Sequence, residues 1–418
     1  MTIKELYKLF LKNPVICTDT RKIKRGSIFF CLKGQNFNGN KFAKEAIKNG
    51  CKYSITDDPK SEFHPKIILV GNVLETLQKL ATYHRKKLNI PIIGITGTNG
   101  KTTSKELINV ILNSEKNCYA TKGNLNNHIG VPLSILEINK THNIAIIEMG
   151  ANHLKEINFL CKIAQPTHGV ITNIGVAHLE GFKDTQGIIN TKNELYKYLN
   201  KTKGHIFLNN DDQLLVSLSK NISKTSYGTK GESKTSLINN TPFLDIKWNK
   251  TRIYSSLIGD YQYYNISLAI CIGNYFKISR KNIKIALESY TPKNNRSQII
   301  KNDKNTIILD AYNANPSSMQ AMLESFNKQK YTNKLCILGD MLELGGSSQN
   351  EHLTIIQLCN KLELECFFVG KEFNNVLNTS FRSRLELEKY LQENPIKNKT
   401  VLLKGSRGIG LEKLVQFL

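Results

Sequence analysis

The 418-residue chain contains no apolar run approaching the roughly 18 residues that a membrane-spanning helix needs. Its start, MTIKELYKLFLKNP, carries lysines at 4, 8 and 12 where a secretion signal would have an unbroken apolar stretch. Neither membrane insertion nor export is expected, and a cytoplasmic protein is. Cysteine is present at nine scattered positions, but no Cys-x-x-Cys pair occurs and no histidine lies at zinc-site spacing. That excludes a zinc-ribbon or disulfide scaffold and points to reduced, mostly buried thiols. Acidic residues are scarce, 34 against 58 lysines and arginines, giving a formal charge of +24. Yet the lysines are spread evenly, without a dense basic tract or an aromatic-basic module, so no nucleic-acid partner is expected. A positive field still favours small anionic substrates. Internal repeats and low-complexity linkers are also absent, while the length is too great for one ordinary core, so roughly two to four domains are expected.

What is present is an alternation of strand-like and helix-like segments. The stretches GSIFFCLKG, NKFAKEAIKNG, CKYSITD and KIILVGN describe a small α/β unit over 1–89, with a helix from about Val73 to Leu88 leading out. A second unit, 90–293, begins with an apolar strand at 90–95, a glycine loop, and a helix whose Leu107, Val110 and Ile111 share one face. Buried-strand runs NIAIIEMG and THGVITNIG flank helical LKEINFLCKIA, the order of a mostly parallel doubly wound sheet, whose ligands collect beyond the carboxyl ends of the strands. The polar stretch Ser219 to Ser256 reads as antiparallel excursions in the same unit. From NTIILDAYNANPSS the alternation restarts through KLCILGD, LECFFVG and TVLLKGSRG, a third, Rossmann-like unit over 294–418.

The chemistry concentrates at strand ends. In GITGTNGKTT the usual P-loop spacing would require a glycine at Ile95, and the chain offers Gly94 and Gly97 instead. Backbone N–H groups of Gly97, Thr98, Asn99 and Gly100, with the helix N-terminus behind them, suit a phosphate. Lys101 would neutralise it, Thr102 would ligate magnesium, and Thr103 completes the Gly-Lys-Thr-Thr run. Glu148 ends a wholly apolar strand, where a carboxylate needs a hydrogen bond or a metal. His178, in NIGVAHLEGF, is either a second metal ligand or a structural hydrogen-bonder. Lys192 in NTKNELYKYL reads, on its own, as an exposed helical lysine. Asp310 ends a strand ahead of AYNANP; it is either a ribose-binding carboxylate or part of an ordinary helix start built from Asn313, Asn315 and Pro316.

Taken together, GITGTNGKTT, IIEMGANH, TNIGVAHLEGF and TKNELY resemble, in order, the central motifs of the Mur ligases, ATP-dependent amide-bond-forming enzymes of peptidoglycan synthesis. Within that family TKGNLNNHIGVPLSIL, DAYNANPSSM, LGDMLELGGSSQNEH and KGSRGIGLEKLV look like the branch that adds D-alanyl-D-alanine. The resemblance spans nearly the whole chain. It implies a three-domain ligase that activates the carboxylate of UDP-N-acetylmuramoyl-tripeptide with ATP and magnesium, and so serves cell-wall biogenesis, cell shape and division. It implies ATP contacts at Lys101 and the loop, adenine at Asn265, phosphate at Arg296 and ribose at Asp310. Thr102 and Glu148 would share one magnesium, His178 would hold another, and Lys192 would be carbamylated. Thr121, Asn124 and Asn126 would face the muramoyl nucleotide, and Thr20, Arg21 and the FNGN turn its uridine end. Asn313, Lys404, Ser406 and Arg407, with the 339–345 loop, would surround the dipeptide. A monomer is expected. The chain departs from the family pattern at Tyr261-Gln262, where His-Asn is usual, at Asn295, where glycine precedes the arginine, and at Asn38 and Asn40 of the N-terminal turn. Sister ligases adding one amino acid are the alternative, although the Asp-Asn-Pro-Arg motif of the third-residue enzyme is missing.

Overall fold

The computed structural model describes residues 1–61, 64–177 and 179–418. Each of its three main sheets grows from the segments whose apolar runs are continuous, because strands covered on both faces have no polar face to show. The first is a four-stranded parallel sheet, ordered Ile16–Cys17, Ile28–Phe30, Tyr53–Thr56, Ile67–Leu69. Helix Val73–Arg85 follows it, capped by Asn72. It packs against helices Gly130–Glu137 and Glu156–Ala164 and so ties this sheet to the next.

The central sheet has nine strands. Ile92–Thr96 lies between His168–Ile171 and Ile144–Glu148, with Cys118–Ala120 at one edge. On the other side follow His205–Asn209, Ser223–Gly228, Ser233–Asn239, Asp245–Trp248 and Thr251–Tyr254. The polar stretch corrects one expectation. Antiparallel pairing joins its last three strands, Ser233–Asn239, Asp245–Trp248 and Thr251–Tyr254, as expected; Ser223–Gly228 instead joins its neighbour in parallel over five residue pairs and extends the main sheet. Alternating polarity there reflects a sheet with one face less covered, which says nothing of strand direction.

The third sheet orders Gln298–Lys301, Thr306–Asp310, Thr400–Lys404, Lys334–Gly339 and Cys366–Val369, parallel except for the first. All nine cysteines are free, eight of them buried. Among the described residues no helix is long and apolar enough to cross a membrane.

Candidate active site

The carboxyl ends of Ile92–Thr96, Ile144–Glu148 and His168–Ile171 converge on a cavity of about 1150 Å³, closed from above by the start of helix Pro316–Lys328 and by the ends of the third sheet. Gly94 is a strand residue packed beneath Met149, so the glycine turn proper is 97–100. Gly97 has φ +141°, and a Cβ there would lie 2.0 Å from Thr172 Oγ1. Gly100 has φ +79° and faces Asn265 at a distance no side chain could share. Both conformations need glycine. The turn is held from the neighbouring strand end: Thr98 N donates to Asn173 O at 2.9 Å and Asn99 N to Asn173 Oδ1 at 3.0 Å.

Helix Lys101–Leu112 starts directly after the turn. Lys101 Nζ folds back to donate to the carbonyls of Gly97 (2.7 Å) and Thr98 (2.9 Å). Burial pushes its pKa down to about 8, against Glu148, which raises it, and with Arg296, which lowers it further. One residue on, Thr102 Oγ1 donates to Glu148 Oε1 at 3.2 Å, and Asn126 Nδ2 donates to the same oxygen at 2.9 Å. Glu148 is 2% exposed, and its Oε2 has no hydrogen-bond partner. The ammonium facing Oε2 is Lys105, 3.8 Å away and itself anchored on Thr121 O at 2.8 Å. Thr121 Oγ1 in turn accepts from Glu148 N at 3.0 Å. A buried carboxylate oxygen left without a donor, beside a hydroxyl, fits a hard divalent cation such as magnesium.

Lys192 is not the exposed helical lysine that composition suggests. On helix Thr185–Lys201 it is 2% exposed, its Nζ reaching Ala151 O at 3.3 Å and lying 5.2 Å from the centre of the Phe182 ring. Burial first, then repulsion from Lys101, pushes its pKa down to about 7, with Glu156 and Glu194 opposing. His178 lies outside the described residues. Among the described residues no three His, Cys, Asp or Glu side chains gather as a metal site.

Adenine-side and C-terminal candidates line the same cavity. Asn265 is 6% exposed; its Oδ1 accepts from Ser104 Oγ and its Nδ2 donates to Gln262 Oε1 at 2.6 Å, while Tyr261 Oη meets Ser297 Oγ at 3.0 Å. The departure Tyr261-Gln262 thus supplies its own partners. Asn294, Asn295 and Ser297 all have φ between +50° and +60°, a region asparagine tolerates, which explains how Asn295 stands in for glycine. Arg296 stacks 3.8 Å above the centre of the Tyr312 ring, with Arg407 at 5.6 Å. Asp310 is engaged by Lys404 Nζ at 2.6 Å and by Ser297 N at 2.9 Å.

Other candidates sit apart. Asn124 and Asn313 line the cavity, but Ser406 does not: it is 3% exposed and its hydroxyl accepts from Leu342 N, joining two loops. Thr121 supports Glu148 from behind. Thr20 and Arg21 belong to the first sheet's surroundings, where Arg21 pairs with Asp19 at 2.8 Å. Sequence reasoning missed Lys105, Asn173 and Ser317. The available signal for Lys105 was its place one helical turn after Lys101, on the same face.

With this geometry in view, three family models match: Mur ligase family catalytic domain over 15–91, Mur ligase middle domain over 95–273, and Mur ligase glutamate ligase domain over 295–407. The UDP-N-acetylmuramoyl-tripeptide–D-alanyl-D-alanine ligase of Bacillus subtilis is 32% identical over 446 residues, covering 100% of this chain and 97% of its own. The chain belongs to the Mur ligase family. This Mur ligase is also 36% identical to the ligase of the same name from Buchnera aphidicola subsp. Baizongia pistaciae, over 96% of this chain and 92% of that one. Among solved structures it is similar to MurF from Acinetobacter baumannii (TM-score 0.86, 29% identity, 96% and 92% of the two chains). It is likewise similar to a MurF ligase from Thermotoga maritima in complex with ADP (TM-score 0.84, 26% identity, 97% of each). The chain is therefore an enzyme, a ligase with three Mur domains and a mostly parallel central sheet.

Proposed function

We propose that this Mur ligase joins D-alanyl-D-alanine to UDP-N-acetylmuramoyl-tripeptide, using ATP and passing through an acyl phosphate. The observation that carries the reading is one cavity in which a phosphate loop with Lys101 and a buried Glu148 faces Arg296, Asp310 and Arg407 of the third sheet. A carboxylate resists amine attack, and it must first accept the γ-phosphoryl group of ATP. Both partners are anions. Lys101, Arg296 and Arg407 offset that repulsion, and the N-terminus of helix Lys101–Leu112 orients the phosphates. The dipeptide amine then forms the C–N bond as phosphate leaves, with no side-chain nucleophile. Docking of the third domain excludes water.

Magnesium bound between Thr102 and Glu148 would neutralise triphosphate charge and brace the transferring group. Lys192 is assigned as carbamylated: a buried amine with a pKa of about 7 has a substantial neutral fraction at neutral pH and can attack CO2, forming an N–C bond and releasing its proton. The product offers oxygen ligands and removes a like charge from beside Lys101. His178 is assigned to a second magnesium on resemblance alone. We assign 1–89 to the UDP-sugar end, 90–293 to ATP and 294–418 to the dipeptide. That Thr20 and Arg21 lie outside the cavity supports a long substrate whose uridine is held far from its reacting carboxylate. The setting is cytoplasmic.

The test is phosphate release with ATP, magnesium, UDP-muramoyl-tripeptide and either D-alanyl-D-alanine or single amino acids. Turnover with the dipeptide alone is expected; turnover only with a single amino acid would sink the assignment.

A further inference from the structure

The turn that carries Lys101 is also gripped from the third domain. Asn99 has its backbone fully used at home: its N–H is held by Asn173 Oδ1, and its carbonyl accepts from Thr172 Oγ1 at 2.6 Å and Asn173 Nδ2 at 3.0 Å. Both ends of its side-chain amide point the other way. Nδ2 donates to Ser317 Oγ at 2.9 Å, and Oδ1 accepts from Asn315 Nδ2 at 2.9 Å, more than two hundred residues along the chain.

Asn315 is in the matching position on its own side. Its Oδ1 caps helix Pro316–Lys328 by accepting from Ser318 N at 2.9 Å, so the amide NH2 is the group left to offer. The helix start is thereby aimed at the phosphate turn. Little slack remains between the domains here. A Cβ on Gly175 would lie 3.0 Å from Ser317 Oγ, and Gly175 is itself bonded to Thr98 through both its N–H and its carbonyl. Segment 173–175 is a layer with the phosphate turn on one side and the helix start on the other.

We propose that Asn99, Asn315 and Ser317 form a clasp by which the third domain fixes the phosphate turn, so that docking sets the position of Lys101 for transfer. Asn315 and Ser317 are positioning residues that act through the Asn99 amide, to which both are bonded. The clasp makes domain docking and phosphate alignment one event: an undocked third domain leaves the Asn99 amide unpaired and the turn free to relax. For its rate readout this rests on the proposed ligation.

Ser317→Ala, Asn99→Ala and the double variant, compared in full-length enzyme, test it. Each single change is expected to lower kcat roughly three- to tenfold, the scale of one or two neutral hydrogen bonds, and Ser317→Ala is expected to leave mant-ADP affinity unchanged. The double variant should be no slower than Asn99→Ala, since that change already removes the bond to Ser317. Gly175→Ala, which crowds Ser317 without altering its hydroxyl, should reproduce the Ser317→Ala loss. Multiplicative losses in the double variant, or wild-type kcat in Ser317→Ala, would overturn the clasp. If the wild type itself fails to ligate the dipeptide, the ligation reading falls while the clasp is still decided, by hydrogen exchange at residues 315–318: ATP should protect them in wild type and less in Asn99→Ala, and equal protection in both would overturn it.

Discussion

Strand His168–Ile171 runs from one kind of polar environment to another, and the two ends of the central sheet can be compared along it. At its start His168 lies in a closed aromatic nest with His205, Phe207, Tyr275 and Phe276, all ring centroids within 6.0 Å of its own. At its end Thr172 and Asn173 support the phosphate turn, with Lys101, Glu148 and Lys192 nearby. Each end holds a base whose pKa burial pushes down: His168 to about 4, with repulsion from His205, and Lys192 to about 7, with repulsion from Lys101. A lowered pKa therefore does not distinguish function from packing. The partners do. His168 has Thr167 Oγ1 at 2.9 Å and Tyr275 Oη at 3.3 Å on its two ring nitrogens, whereas Lys192 has one hydrogen bond at 3.3 Å and a like charge close by. One end is satisfied by partners on both ring nitrogens; the other keeps a buried ammonium on one long hydrogen bond and a carboxylate oxygen without a donor.

The sharpest way to break this comparison is to treat both bases alike. Lys192→Met should reduce turnover by more than roughly a hundredfold, beyond the usual effect of losing a ligand's support. It should also stabilise the fold at neutral pH in CO2-depleted buffer. The native pKa lies below the ordinary lysine value of about 10.4, so on folding the lysine gives up a proton between those limits and the wild type gains stability as pH rises through that window. The cost of Lys192 is thus greatest below about pH 7, and the gap between the Lys192→Met variant and wild type should narrow toward pH 10. Equal midpoints of denaturant unfolding at pH 7 would show that burial does not strain this lysine.

Lys105 sharpens the comparison from the other side, because at 4% exposure it is a buried cation whose partner is present. Lys105→Met removes the ammonium facing Glu148 Oε2 and should cost about 3 kcal/mol of stability, the scale for breaking one side of a buried pair. Saturating magnesium should restore part of it, since the orphaned oxygen is then covered. A variant as stable as wild type in EDTA would show that Thr102 and Asn126 suffice to hold the carboxylate.

The sheet and its phosphate turn were legible because apolar runs and glycine spacing are local signals. Strand direction beyond Ser219 was legible only in part: the last three strands pair antiparallel as read, whereas Ser223–Gly228 runs parallel to its neighbour, since polarity reports which face is covered and not how the strand runs. The same limit applies to the site. Glu148 was visible as a carboxylate ending an apolar strand, but Lys192 and Lys105 look in sequence like any of the chain's many lysines. What selects them is burial by Phe182, Ala151 and Thr121, contributed from elsewhere in the fold. Asn99 was read as a backbone donor to phosphate, but its N–H, like that of Thr98, is taken by Asn173; its long-range side-chain partners Asn315 and Ser317 could not be inferred from spacing.

The smallest expected effect is at the aromatic end. In wild type the folded state holds His168 neutral down to about pH 4, while the unfolded chain takes up that proton near 6.5, so its contribution to stability is present above pH 6.5 and lost as pH falls toward 4. His168→Phe keeps a ring between Phe207 and Phe276 and removes the titration. Turnover at pH 8 should stay within about twofold, as a packing change remote from the cavity with no altered charge there. The acid limb of the stability curve should flatten relative to wild type between pH 6.5 and 4, read by denaturant unfolding at matched ionic strength. If His168→Phe instead lowered kcat tenfold, the two ends of the strand would be coupled, and the division between a finished nest and a ligand-completed site would fail.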